Sequence, residues 1–282
     1  MSLFLQKIAP RQTLTQCAGV LAASRQAWIA QPFIRWFINR YGVDMSQALH
    51  PDPADYACFN DFFTRALQPG VRPLAHADWI SPVDGAVSQL GRIQQGQIVQ
   101  AKGRSYTAAQ LLADEQRASA YADGFFATLY LSPRDYHRIH MPCDAQLVRM
   151  SHVPGDLYSV NQATAAGIDR LFARNERLVC WFEGPHGPFV MVLVGATIVG
   201  SIATSWHGVV TPPRTGAIRH WVYGQTGSDR VSLHKGEEMG RFLLGSTVIM
   251  LMPPEAGVHW NTQWQPGSAI QMGQEMARSI LA

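Results

Sequence analysis

Residues Phe242-Leu243-Leu244-Gly245-Ser246-Thr247-Val248-Ile249-Met250-Leu251-Met252 carry two apolar runs separated by three small residues. Each run is too short for an ordinary helix and is built from side chains that strands bury, so the pattern predicts two buried strands meeting at a small-residue break. The same texture recurs upstream. Ile98-Val99-Gln100, Ala127-Thr128-Leu129-Tyr130-Leu131 and Val190-Met191-Val192-Leu193-Val194 are short β-type runs punctuated by Gly, Pro and Asp, which predicts a β-rich body from Trp79 onward. One helical pause is expected inside it, at Thr107-Ala108-Ala109-Gln110-Leu111-Leu112, with Thr107 as the cap.

Before Trp79 the pattern is helical. From Leu14 to Tyr41 the chain sets Trp28, Ile29, Phe33, Ile34, Trp36 and Phe37 among Arg25, Arg35 and Arg40. Pro32 suits a first helical turn, so two short amphipathic helices are expected, separated at Gln31-Pro32. Such a stripe either docks on the protein's own core or lies in a membrane interface, where Trp and Phe accompany Lys or Arg. Lys7, Arg11, Arg25, Arg35 and Arg40 all precede the first acidic residue, Asp44, and this asymmetry points to an anionic surface as partner. Phe59-Asn60-Asp61-Phe62-Phe63-Thr64-Arg65-Ala66-Leu67 reads as a packing helix ended by Pro69-Gly70. The expected fold class is α+β, with a helical, membrane-associating region over residues 1–70 and a mainly antiparallel β body over 71–282.

A chain of 282 residues can bury a sizeable core, and one catalytic unit is expected. Its formal net charge of +3 is far from the balance of a nucleic-acid protein, so no nucleic acid is expected as partner. Cys17, Cys58, Cys143 and Cys180 are widely spaced and form no C-x-x-C pair, which fits a reducing compartment. No stretch reaches the roughly 18 consecutive apolar residues of a bilayer-crossing helix. The short run from Cys17 to Ala23 is interrupted by Arg25; signal cleavage is not expected there, although the acid-poor start also resembles a transit peptide.

Several patterns fail as sites. Gly195-Ala-Thr-Ile-Val-Gly200-Ser201 has phosphate-loop spacing without the lysine and reads as a strand with bends. His137-x-x-His140 lacks a completing Cys or carboxylate cluster, so no metal is predicted. Three segments instead place capable residues among turn formers and apolar neighbours: Ser81-Pro82-Val83-Asp84-Gly85, Leu131-Ser132-Pro133-Arg134-Asp135-Tyr136-His137-Arg138-Ile139-His140-Met141-Pro142, and Leu244-Gly245-Ser246-Thr247. Taken singly, each has a plain structural reading. Asp84-Gly85 is an ordinary turn, the two-histidine segment a satisfied polar loop, and Gly245-Ser246-Thr247 a strand bulge.

Together they resemble one family, the pyruvoyl-dependent phosphatidylserine decarboxylases of prokaryotic type. Leu244-Gly245-Ser246-Thr247 is similar to that family's self-cleavage motif, Asp84 to its site aspartate, and Tyr136-His137-Arg138-Ile139-His140-Met141-Pro142 to its two-histidine segment. The likeness continues through Gln100-Ala101-Lys102-Gly103, Val153-Pro154-Gly155-Asp156-Leu157, Leu171-Phe172-Ala173-Arg174-Asn175-Glu176-Arg177, Val194-Gly195-Ala196-Thr197 and Lys235-Gly236-Glu237-Glu238-Met239-Gly240-Arg241-Phe242. It covers nearly the whole chain and departs after Pro253.

The resemblance implies that Ser246 attacks the Gly245 carbonyl, that the ester eliminates, and that the product hydrolyses to a covalent pyruvoyl group and ammonia. Loss of carbon dioxide from an amino acid needs an electron sink that no ordinary side chain offers, and a ketone condensed with the substrate amine as a Schiff base provides it. Gly245 removes bulk at the attacked carbonyl. By resemblance His140 is the base for Ser246 and Asp84 orients it; His137 is the candidate acid in turnover, and Asp135 either tunes His137 or forms an outward ion pair with Arg134 or Arg138. The larger chain, ending at Gly245, and the smaller, beginning at residue 246, should stay associated. The implied substrate is phosphatidylserine, the implied setting an anionic surface on the cytoplasmic face of a bacterial inner membrane, and the expected assembly a homodimer. Competing readings are an inactive membrane-binding relative and a pyruvoyl decarboxylase for another amino acid. A serine hydrolase would be expected to show a G-x-S-x-G elbow, which Leu244-Gly245-Ser246-Thr247-Val248 is not.

Overall fold

Strand Ser246–Met252 runs through the middle of the largest sheet. The structure is a computed structural model that describes residues 18–197, 201–211, 216–224, 226–243 and 246–280. Among them a nine-stranded sheet has the order Arg219–Val222, Ala145–Val153, Arg177–Gly184, Gly187–Val194, Ser246–Met252, Phe125–Leu131, Gly85–Arg92 and Ala269–Ile270, with Val231–Leu233 also edging Ala145–Val153. Every neighbouring pair in it is antiparallel. The fold is α+β, as the sequence implies.

The central strands read as unbroken apolar runs because both faces of the sheet are covered. Val248, Met250 and Met252 enter one core, while Ile249 and Leu251 enter the other; the period of two is present in space but hidden in composition. On the first face lie Ile139, Met239 and Phe242 of a four-stranded sheet and Trp79, Val258 and Met276 of a three-stranded one. On the second lie Leu111 and Leu112 of helix Ala108–Leu112, and Leu171 and Phe172 of helix Leu171–Arg174. Thr107 caps the former as expected, within a capping box completed by Gln110.

The N-terminal helices differ from the sequence expectation. Residues 18–23 are helical, residues 24–26 are not, and helix Ala27–Tyr41 then runs through Pro32 without a break. An interior proline costs about 3 kcal/mol in lost hydrogen bonding and crowding. Ile34 and Phe37 are buried on the opposite side, and burial stabilises by about 1.5–3 kcal/mol for each such side chain, enough to offset it. Phe33 stacks on Phe59 at 4.4 Å between ring centroids, and Phe37 meets it edge-on at 4.9 Å. The helix stops at Gly42, whose φ of +65° suits glycine and whose N–H reaches the Ile38 carbonyl. The helix expected over 59–67 is also shorter, Phe59–Phe63. Thr64 Oγ1 turns back to the Asn60 carbonyl, and Leu67 bridges to Ala48 instead. No helix among the described residues is long and apolar enough to cross a membrane.

Gly85 joins the aspartate loop to the sheet. At φ +154° it lies so close to strand Phe125–Leu131 that a Cβ would stand 2.2 Å from the Tyr130 carbonyl oxygen. We expect Gly85→Ala to destabilise the protein by about 1–3 kcal/mol, the usual range for overpacking, read as a lowered urea midpoint; an unchanged midpoint would mean that the loop gives way freely.

Candidate active site

Three strand ends meet at Leu131. Ser246 pairs with Leu131 on one side, and Ala86 pairs with the adjacent Tyr130 on the other. The backbone of Asp84-Gly85 is thus about two strand spacings, roughly 10 Å, from that of Ser246. The two-histidine segment arrives from the covering sheet: Glu238 pairs with His140, and the Phe242 N–H donates to the His137 carbonyl at 3.1 Å. Leu243 N–H donates to the Ser201 carbonyl at 3.0 Å. Both flanks of the small-residue break are therefore anchored. Leu244, Gly245 and the Ser246 side chain lie outside the described residues, as does part of the 195–201 stretch.

His140 is held at both nitrogens. Nδ1 lies 2.8 Å from the Gly236 carbonyl and Nε2 3.0 Å from the Tyr136 hydroxyl. A carbonyl only accepts, so Nδ1 carries the proton; Nε2 of the neutral ring is the lone pair, and Tyr136 donates to it. Gly236 makes this possible by its φ of +82° in the turn before strand Glu238–Phe242. His137 follows the same logic: Nδ1 donates to the Asp135 carbonyl at 2.8 Å, leaving Nε2 buried without a hydrogen-bond partner among the described residues. Phe63 covers it at 4.0 Å between ring centroids. Burial lowers the pKa of both imidazoles, that of His137 to about 3. Both are neutral at pH 7, with a basic Nε2.

The expected Asp84–His140 hydrogen bond is absent among the described residues. Asp84 Oδ1 accepts from Arg72 Nε at 3.0 Å and from the Met272 N–H at 2.8 Å, and Oδ2 accepts from Arg72 Nη2 at 2.5 Å. Arg72 has captured the carboxylate with the fork geometry suited to it. Asp84 reaches His140 by its charge, which opposes the downward shift, while its loop reaches His140 through the backbone, the His140 N–H donating to the Pro82 carbonyl. Asp135 makes the outward ion pair expected with Arg134 and adds a turn-closing hydrogen bond. Its carboxylate accepts from the Ser132 N–H at 2.6 Å and stands 3.9 Å from Arg134, so it closes the turn and forms only a loose ion pair; it holds His137 through its backbone carbonyl.

A cleft of about 360 Å³ opens beside these groups, lined by Arg65, Arg72, Asp84, Arg134, Asp135 and Tyr136 among others. Sequence reading missed Arg65, Arg72, Tyr136 and Gly236 as site residues. Arg65 sat in a stretch read as packing, Arg72 in a Pro-rich linker, and Tyr136 and Gly236 inside quoted motifs without a role. Among the described residues no three His, Cys, Asp or Glu side chains gather as a metal shell.

A phosphatidylserine decarboxylase family profile matches residues 59–278, and a second profile, PSD, matches residues 1–42. The chain belongs to the phosphatidylserine decarboxylase family. It is 62% identical over 275 residues to the phosphatidylserine decarboxylase proenzyme of Chromobacterium violaceum, covering 96% of each chain. It is 60% identical over 272 residues to that of Azoarcus sp., covering 96% of this chain and 93% of the relative. Within this decarboxylase family the buried imidazoles have a measurable consequence.

His137 has a folded pKa of about 3 against 6.5 for the free side chain. Between those values the unfolded chain binds a proton that the folded chain refuses, so the contribution is complete above about pH 6.5 and is lost as pH falls. The slope from this group is about 1.4 kcal/mol per pH unit. We expect urea unfolding of His137→Asn to be less pH-dependent than wild type between pH 6.5 and 5 by about that slope; identical slopes would show that the imidazole titrates freely.

Proposed function

We propose that the chain is a phosphatidylserine decarboxylase that cleaves itself between Gly245 and Ser246 and then converts phosphatidylserine to phosphatidylethanolamine and carbon dioxide. The observation that carries this is the meeting of Asp84, the His137–His140 segment and the start of strand Ser246–Met252 around Leu131. The pyruvoyl group derived from Ser246 supplies the electron sink for carboxylate loss. The surroundings suit it, because a break before residue 246 leaves one new end on a strand paired on both sides and the other tied through Phe242 and Leu243. The larger and smaller chains then remain together.

His140 Nε2 takes the proton from Ser246 Oγ once the Tyr136 hydroxyl turns aside, with Nδ1 steadied on Gly236. Asp84 contributes negative charge that favours the imidazolium so formed. His137 Nε2 starts without a proton, so it serves turnover by first taking the proton that the substrate ammonium sheds as it becomes the reacting amine. An anionic substrate beside it raises its pKa, and the proton then passes to the α-carbon after carbon dioxide has left. The residues proposed for the site are thus Ser246, His140, Asp84 and His137.

The N-terminal region, over residues 1–70, is proposed as the membrane contact. Ile34 and Phe37 dock on the body, yet Trp28 and Trp36 remain 76% and 53% exposed beside the exposed Arg25, Arg35 and Arg40. Aromatic and cationic side chains on one free helix face suit an anionic interface, which supports peripheral attachment at the cytoplasmic face of a bacterial inner membrane.

Intact mass with carbonyl labelling and an assay of carbon dioxide release test the reading together. Ser246→Ala is expected to stay uncut and inactive, and His140→Ala and Asp84→Asn to accumulate the uncut chain. His137→Ala is expected to yield both fragments and a labelled carbonyl while losing at least 100-fold in turnover, the usual scale of a proton-transfer residue. Two fragments from Ser246→Ala, or an uncut His137→Ala, would overturn these assignments. Trp28→Ser with Trp36→Ser should weaken sedimentation with anionic liposomes, more so at high salt; unchanged sedimentation would make the helix purely structural.

A further inference from the structure

The cleft is lined by three arginines, Arg65, Arg72 and Arg134, and three aspartates, Asp44, Asp84 and Asp135, and among the described residues Arg65 is the arginine of the three that makes no ion pair. Arg72 is engaged with Asp84, Arg134 is exposed and stands 3.9 Å from Asp135, and Asp44, which also lines the cleft, accepts from the Ser46 N–H. Arg65 is 5% exposed and, among the described residues, has no carboxylate within ion-pair distance. Its Nη2 donates to the Arg134 carbonyl at 3.2 Å, its guanidinium lies 5.5 Å from the Phe62 ring centre, and its Nε is buried with no hydrogen-bond partner among the described residues. Asp84, Asp135 and Asp44 reach Arg65 by charge only, and burying a guanidinium without an anion in hydrogen-bonding contact is expensive. An arginine so placed, at the wall of a cleft beside reactive groups, is a preformed half of an anion site.

We propose that Arg65 binds the phosphodiester of the substrate headgroup, an inference that rests on the phosphatidylserine reading above. The headgroup offers two anions, and the chemistry chooses between them. A guanidinium on the carboxylate would stabilise the charge that must leave as carbon dioxide, favouring the ground state over the transition state. The phosphodiester keeps its charge from substrate through product. A cation bound to it contributes uniform binding, which anchors the serine end near Asp84 and Tyr136 without opposing the reaction. The helix Phe59–Phe63 that precedes Arg65 also covers His137 through Phe63, so one short segment serves both the headgroup and the imidazole.

The test uses the full-length, self-cleaved enzyme, with the pyruvoyl content of each variant first verified by mass and carbonyl labelling. Arg65→Met should raise KM for phosphatidylserine in mixed micelles at least ten-fold while kcat stays within about three-fold, and Arg65→Lys should fall between it and wild type. Inhibition by glycerophosphoethanolamine, which has the phosphodiester but no carboxylate, should weaken in Arg65→Met by the same factor as KM. An unchanged KM overturns the proposal. A raised KM with unchanged inhibition assigns Arg65 to the carboxylate and overturns it as well. Should Arg65→Met fail to mature, wild type and Arg65→Lys decide: glycerophosphoethanolamine must compete with substrate while ethanolamine does not, and Arg65→Lys must weaken that competition. Equal competition by inorganic phosphate would make this a site for free phosphate and would overturn the headgroup assignment. A wild type that matures but releases no carbon dioxide would instead sink the decarboxylase reading itself.

Discussion

The hydrogen bonding of strand Ser246–Met252 to both of its neighbours is the constraint on which the site depends. Residues 246–252 pair with 125–131 on one side, and residues 247–251 pair with 190–194 on the other. Their side chains fill two cores at once. The first residue of the strand is therefore delivered to a fixed place, at the end of a rigid sheet. A covalent break just before it removes none of those bonds. The architecture can tolerate scission at its centre because the stability of the strand comes from its neighbours and not from its connection to Leu244.

Around that fixed point the proton chemistry is set by carbonyl groups. Gly236 and Asp135 each present a backbone oxygen to an imidazole Nδ1 and thereby place the lone pair on Nε2. Burial then keeps both rings neutral. The arrangement differs from a Ser-His-Asp relay in one respect: the orienting group for His140 is neutral, and the aspartate acts from beyond it. Arg72 explains why. Its fork occupies the Asp84 carboxylate, so the carboxylate cannot also grip the ring.

The N-terminal helix links this chemistry to a surface. Its buried face is bound to the aromatic cluster of Phe59, Phe62 and Phe63, and its C-terminal end leads through Gly42 and Asp44 to the rim of the cleft. Docking on the core takes one side of the helix and leaves the other side exposed, so it does not compete with the interface contact proposed for that side. The side chains divide accordingly, with Ile34 and Phe37 inward and Trp28 and Trp36 outward.

Sequence by itself determined the α+β class, the buried strand through Val248–Met252, the cap at Thr107 and the family. These follow from local composition and from motifs whose order along the chain is visible without coordinates. It also marked Asp84, His137, His140 and Ser246, because reactive residue types stood among turn formers. Tertiary structure decided the rest. Helix Ala27–Tyr41 runs through Pro32 because buried packing of Ile34 and Phe37 outweighs a lost hydrogen bond, and helix Phe59–Phe63 stops early because Ala66 and Leu67 pair with Leu49 and Ala48 instead. The partners of the reactive groups were invisible for a common reason. Arg72 meets Asp84 across 12 positions, Gly236 meets His140 across 96, and Met272 meets Asp84 across 188; no local pattern encodes which distant donor a folded chain will bring to a carboxylate, or which carbonyl will choose the tautomer of a ring.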